Sequence, residues 1–166
     1  MEIASPSANK LFPVFLKLEE LRLLIIGGGN IGLEKLQAVL NNSPATRIRV
    51  VAETIQDRIN ALAETYPNIT LVQKLYESSD LDGADMVIAA VNDLVLCGRI
   101  RSDAHKRRLL VNIADTPQLC DFYLGSIVSK GNLKIAISTN GTSPTMARRM
   151  KEVLNDMIPE EMDHVL

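Results

Sequence analysis

Gly27, Gly29 and Gly32, in the run Gly27-Gly28-Gly29-Asn30-Ile31-Gly32, have the types and spacing of a turn that receives a dinucleotide pyrophosphate. Gly27 allows the tight turn, Gly29 lets backbone approach the phosphates, and Gly32 lets a helix pack closely on the strand before it. The amides of Asn30 and Ile31 then open that helix and face negative charge, with the helix dipole behind them. Glu53, roughly twenty residues beyond Gly32, is placed to accept ribose hydroxyls and disfavour a 2′-phosphate, a lean toward NAD; it also reads as the start of a helix beside Thr54. Asn92 and Asp93 read either as cofactor contacts or as a helix cap. Asp115 lies just past the carboxyl end of a strand, where ligands of open α/β sheets bind, and is a candidate for proton transfer. The run Asp115-Thr116-Pro117 reads equally as turn chemistry, with the carboxylate bonding its own backbone. Ser138-Thr139-Asn140-Gly141-Thr142-Ser143 sets amides and hydroxyls at a further helix N-terminus, suited to an anion, with Arg148 and Arg149 one turn further in. Ser143 caps that helix in either case, and the arginines read equally as contacts to a bound anion or as solvated or subunit-bridging groups.

The elements that must position these residues follow from hydrophobic period and breakers. A strand is predicted over Arg22 to Ile26, then a helix from Asn30 to Leu40 with Ile31, Leu36, Val39 and Leu40 on its apolar side, stopped by Asn41-Asn42-Ser43-Pro44. Ile48 to Ala52 is a second strand. Thr54 is predicted to cap a helix carrying Ile55, Ile59, Leu62, Ala63 and Tyr66. Strands over Ile69 to Leu75, Met86 to Val91 and Leu109 to Ile113 follow, the last two joined by a helix from Asp93 to Arg107. The unbroken apolar run Met86-Val87-Ile88-Ala89-Ala90-Val91 is of the kind central parallel strands show. Alternating strands and helices predict an α/β fold, a Rossmann-like doubly wound parallel sheet. From Thr116 the pattern changes: Cys120 to Ser129 and Leu133 to Thr139 read as a hairpin about Lys130-Gly131-Asn132. A C-terminal helix then opens at Ser143-Pro144 and carries Met146, Met150, Val153, Leu154 and Met157 along one side, a stripe read as packing. The predicted division is residues 1–115 as the NAD-binding Rossmann domain and 116–166 as a hairpin-plus-helix region for dimerisation and substrate.

The chain has 166 residues and a net charge of −2, which gives no global reason to expect nucleic acid as a partner. Within that average, residues 99–151 are rich in Lys and Arg against only Asp103, Asp115 and Asp121, a local excess suited to an anionic ligand. The bland alternative is a set of solvated helix faces, favoured for Lys106-Arg107-Arg108 at a helix end. Cys97 and Cys120 are too far apart for a C-x-x-C motif and make no ligand spacing with His105 or His164, so both read as reduced interior thiols and no metal is expected. Residues 1–12 look like a loose start without a signal sequence, and no apolar stretch reaches the roughly twenty residues of a membrane span. A cytoplasmic protein without a membrane partner is expected.

Taken together, several motifs resemble one family, the precorrin-2 dehydrogenases of sirohaem biosynthesis, which also form the N-terminal part of sirohaem synthases. They are Phe12-Pro13-Val14-Phe15-Leu16, the Gly27 to Gly32 turn with Lys35, Ala89-Ala90-Val91-Asn92-Asp93, Val111-Asn112-Ile113-Ala114-Asp115 with Leu119-Cys120-Asp121-Phe122, and Ile137 through Arg149. Their shared order and spacing carries the resemblance. The chain departs from the family pattern at Asn140, Val91 and Gly125, where glycine, threonine and proline are usual. Its stretch ending at Leu166 is also shorter than the family's helical region, from which a less complete cleft and dimer are expected. The resemblance implies oxidation of precorrin-2 to sirohydrochlorin with NAD, and a homodimer. It assigns proton transfer to Asp115, and the carboxylates of a tetrapyrrole substrate to Ser138, Thr139, Asn140, Gly141, Thr142, Ser143, Arg148 and Arg149. Iron insertion, an activity of some members, would have to rest on a carboxylate such as Asp115 acting on the bound macrocycle. The competing reading is a non-catalytic module that senses NAD or a tetrapyrrole, and a generic dehydrogenase of another small substrate fits the hairpin after Asp115 poorly.

Overall fold

The computed structural model describes residues 9–159, so the start at residues 1–8, His164 and the end of the chain lie outside the described residues. Two compact units are present, one spanning Phe15–Phe122 and one made, among the described residues, of 9–14 and 123–159.

In the first unit, five parallel strands lie in the order β3-β2-β1-β4-β5: β1 Arg22–Ile26, β2 Arg47–Ala52, β3 Ile69–Gln73, β4 Met86–Ala89 and β5 Leu110–Ile113. The strands are apolar almost throughout because helices cover both faces of the sheet. Side chains alternate across it. Leu23, Ile25, Val50 and Ile88 meet Leu33, Leu36, Val39 and Leu40 of α1 (Asn30–Asn42) and Ile59 of α2 (Asp57–Thr65) on one face. Leu24, Ile26, Val51, Val87, Val111 and Ile113 meet Cys97, Ile100 and Ala104 of α3 (Leu94–Lys106) on the other. Leu36 is fully buried, and Leu36→Ala would cost about 2–5 kcal/mol in lost transfer energy and cavity. The order of strands reverses between β1 and β4. That switch point opens a crevice at their carboxyl ends, where such sheets bind ligands.

Several boundaries differ from the sequence reading, each for a local reason. Thr54 does not cap α2: the helix starts at Asp57 with Gln56 as N-cap, because the Gln56 amide is spent on the Gly28 carbonyl at 3.1 Å. β3 stops at Gln73, and Leu75 is exposed while Tyr76 turns into the core and donates to Asp103 at 3.2 Å. β4 ends at Ala89, although the Ala90 amide still donates to Ile26 O at 2.7 Å. Residues 120–125 are not strand. A 3-10 turn at Pro117–Leu119 precedes them, and Cys120 and Asp121 lie against the free edge of β5.

The second unit contains an antiparallel hairpin, β6 Ser126–Lys130 and β7 Leu133–Ile137, turned at Gly131, whose φ of 56° suits glycine. α4, Pro144–Met157, starts with the Ser143 side chain accepting from the Met146 amide and with Pro144 at the first position. Among the described residues most of the methionine stripe is exposed. Ala147 is the buried residue of α4 and Leu154 is half-buried, while Met146, Met150, Val153 and Met157 are exposed on the neighbouring side of the helix, which packs on the hairpin.

Candidate active site

Gly27 and Gly32 stand where the spacing predicts close backbone contact. Gly27 has φ 121°, and a Cβ there would strike the Ala90 carbonyl. A Cβ at Gly32 would strike the Gly27 carbonyl, so the first turn of α1 and the end of β1 touch backbone to backbone. Gly28 is as tight, held beneath the Thr54 carbonyl. Gly29 is the exception. It is exposed, and a Cβ there would meet nothing within 4 Å, so the protein itself sets no demand for glycine at that point. Gly29 is also the N-cap of α1 with no side-chain cap, and no acidic residue occupies the first turn. The opening amides, at Asn30 and the half-buried Ile31, are therefore left for an anion. An open cradle at Gly29 and an uncapped helix start fit a dinucleotide pyrophosphate.

Around this turn the sheet gathers the other predicted residues of this unit. Val51, Ile26, Ala89 and Ile113 are register partners across β2, β1, β4 and β5, so the ends of β1 and β5 are about 10 Å apart. Glu53 is exposed just past β2, and its carbonyl accepts from Gln73 Nε2 at 3.1 Å. Asn92 is exposed past β4. Asp93 caps α3: its Oδ1 accepts from the Val95 amide at 2.8 Å and the Leu96 amide at 3.2 Å. Gln56, which the sequence reading passed over, has a buried Nε2 without a partner among the described residues. The signal for it was a polar residue between β2 and α2, opposite the glycine run.

Asp115 follows β5 in a turn with φ 58°, a left-handed conformation that Asp tolerates better than most residues. Its carboxylate is exposed and makes no hydrogen bond among the described residues. Thr116, by contrast, donates from its hydroxyl to Ala114 O at 3.4 Å. The turn is thus formed without the Asp115 side chain, which is left to act as a base or to meet a ligand.

Ser138–Ser143 belong to the other unit and are largely bonded to one another. The Asn140 amide donates to Ser138 Oγ at 3.2 Å, the Ser143 amide to Thr139 Oγ1 at 3.2 Å, and Thr142 Oγ1 to the Thr139 carbonyl. Asn140 and Gly141 have φ of 55° and 74°. The loop is therefore a preformed shape, and among the described residues the Gly141 amide makes no hydrogen bond within it. Arg148 Nε is 3.2 Å from Glu152, and Arg149 is exposed.

Both cysteines are free thiols, and burial pushes each above its ordinary range. Among the described residues no three His, Cys, Asp or Glu side chains gather as metal ligands. No helix among them is long and apolar enough to cross a membrane. A cleft of about 470 Å³ lies at the amino ends of the strands, beside Arg22, Arg47, Asn68 and Gly83, and contains none of the candidate residues.

A family model described as "Putative NAD(P)-binding" matches residues 14–126, and one described as "Sirohaem biosynthesis protein central" matches 130–157. The chain is 37% identical over 149 residues to a siroheme synthase of Psychrobacter cryohalolentis, covering 90% of this chain and 28% of that protein. It is 38% identical over 147 residues to a siroheme synthase of Pseudomonas entomophila, covering 89% and 31%. The chain thus spans less than a third of the length of these relatives. A solved structure of the precorrin-2 dehydrogenase SirC superposes with a TM-score of 0.74 at 27% identity, over 93% of this chain and 74% of that one.

Proposed function

The chain belongs to the putative NAD(P)-binding family whose model matches residues 14–126, and from that premise, with its similarity to siroheme synthases and to a precorrin-2 dehydrogenase, we propose that it oxidises precorrin-2 to sirohydrochlorin with NAD. The observation that carries the reading is the pairing of an open Gly29 cradle with a carboxylate, Asp115, that has no partner among the described residues, two strands away at the carboxyl ends of the same sheet. Gly27, Gly29, Asn30, Ile31 and Gly32 hold the pyrophosphate, Glu53 the adenosine ribose, and Asn92 with Asp93 border the cofactor beyond β4. When bound, NAD supplies a two-electron acceptor. Oxidation of the macrocycle also releases a proton, and Asp115, free of internal hydrogen bonds, takes it.

Binding of the polycarboxylate substrate falls to the Ser138–Ser143 loop with Arg148 and Arg149. The self-bonded loop is already ordered, so little conformational entropy is lost when a carboxylate meets the Gly141 amide and the charged side chains. A second copy of the chain covers the apolar face of α4 formed by Met146, Met150, Val153 and Met157, giving a homodimer.

Turnover measured with NAD and with NADP tests the cofactor assignment. Glu53 predicts a preference for NAD, and Glu53→Ser should reduce that preference. Equal turnover with both in the unaltered chain would remove Glu53 from the site.

A further inference from the structure

β5 is the edge of the sheet, and its outward backbone groups would be open to water or to another strand. Two adjacent residues take them up instead. The Val111 amide donates to Asp121 Oδ2 at 3.0 Å, and the Asp121 amide donates back to Val111 O at 2.8 Å. The Ile113 amide donates to Cys120 Sγ at 3.2 Å, and that thiol lies 3.1 Å from Ile113 O as a donor. Burial holds the Cys120 thiol protonated, as the donor role requires. On the far side of the strand Asn112 Nδ2 donates to Phe122 O at 2.8 Å. Residues 114–119 are therefore a short loop tied at both ends to one strand, and Asp115 is in it.

The tie is anchored to α3 as well. His105 Nε2 lies 2.9 Å from Asp121 Oδ2 and 3.0 Å from Oδ1. An ionised carboxylate only accepts, so the ring nitrogen carries the proton. The Asp121 side chain is 20% exposed and His105 40%. Among the described residues neither side chain is hydrogen-bonded to the glycine turn after β1.

We infer that Asp121, held by His105, is a positioning residue that fixes the Asp115 turn against the edge of β5. The inference rests on Asp115 being the base in the proposed oxidation. Fixing a left-handed turn at two points is what a base on a short loop requires, since displacement by about 1 Å can cost on the order of a hundredfold in rate.

The test is steady-state NADH formation from precorrin-2 by the full chain, read with NAD affinity. Asp121→Ala should lower kcat about tenfold to a hundredfold, with KM for precorrin-2 and Kd for NAD changed less than about threefold. His105→Ala should lower kcat in the same direction, and His105→Gln, which keeps a donor, should restore it. Because Asp121 acts through Asp115, Asp121→Ala should add little further loss on an Asp115→Asn background. Wild-type kcat in folded Asp121→Ala, or the same fold loss with and without Asp115, overturns the inference. If Asp121→Ala fails to fold, His105→Ala, which leaves the bonds of residues 120 and 121 to β5 in place, decides it: wild-type kcat there overturns it too. An Asp115→Asn variant as fast as wild type would instead remove the base assignment, and the positioning role with it.

Discussion

Gly29→Ala separates the two reasons a glycine can be required. At Gly29 the backbone has φ −87° and ψ −164°, which any residue adopts, and the added methyl meets nothing within 4 Å. Losing an N-cap glycine costs about 0.5–1 kcal/mol, while the reduced freedom of the unfolded chain returns about 0.4–1 kcal/mol, so stability should change by less than about 0.5 kcal/mol. The methyl does stand where a pyrophosphate must pack. A clash of about 1–3 kcal/mol corresponds to roughly fivefold to 150-fold weaker NAD binding. Gly32→Ala reverses the pattern, since its methyl strikes the Gly27 carbonyl, backbone that cannot turn aside. It should cost about 1–3 kcal/mol, lowering Tm by roughly 3–9 °C at this chain length. Calorimetric titration with NAD and thermal unfolding of both variants read the two effects. If Gly29→Ala binds NAD as tightly as wild type, or loses as much stability as Gly32→Ala, the assignment of the open cradle to phosphate is wrong.

Asp93→Ala removes the acceptor of two opening amides of α3 and should cost about 1 kcal/mol, seen as a fall of roughly 2–4 °C in Tm; no change would show the cap to be dispensable. Hydrogen bonds from the Arg22 side chain and amide hold the Asp85 carboxyl down at about 2, below its ordinary 3.8. Its stabilisation is thus complete above about pH 5 and is lost as pH falls through 4 to 2, about 1 kcal/mol after surface screening. Arg22→Gln should flatten the Tm profile over that interval, and an unchanged profile would refute the pairing. Met150→Asp, in the exposed stripe of α4, should leave the fold intact and convert a dimer to a monomer in sedimentation at about 10 μM; a wild-type monomer at that concentration would exclude the proposed homodimer.

The parts of this molecule legible in its sequence are those fixed by neighbours in the chain. Arg22 to Ile26 reads as a buried strand because alternate side chains enter two cores, and Gly27 and Gly32 read as a turn because each meets backbone that leaves no room for a side chain. Ser143-Pro144 marks the start of α4 for the same reason. Contacts distant in sequence were not legible. Thr54 has the chemistry of a cap, yet the stretch it occupies is pressed under Gly28, 26 residues earlier, and the helix starts later. Residues 120–125 have strand-like composition, but Cys120 and Asp121 spend side chains, not a full backbone ladder, on the edge of β5. The Asp115 ambiguity also needed coordinates, because only the bond pattern shows that the turn forms without its carboxylate.

Oxidation of a tetrapyrrole through NAD, with Asp115 as base, is the reaction proposed at the carboxyl ends of this sheet. Its most direct test mixes enzymatically prepared precorrin-2 and NAD with the wild-type chain and with Asp115→Asn, and follows NADH and sirohydrochlorin together. The wild type should form both products in equal amounts, and a folded variant that binds NAD normally should form them about a hundredfold slower or more. A wild-type chain that binds NAD and the tetrapyrrole but forms neither product would contradict it, and would make the protein a sensor of those ligands.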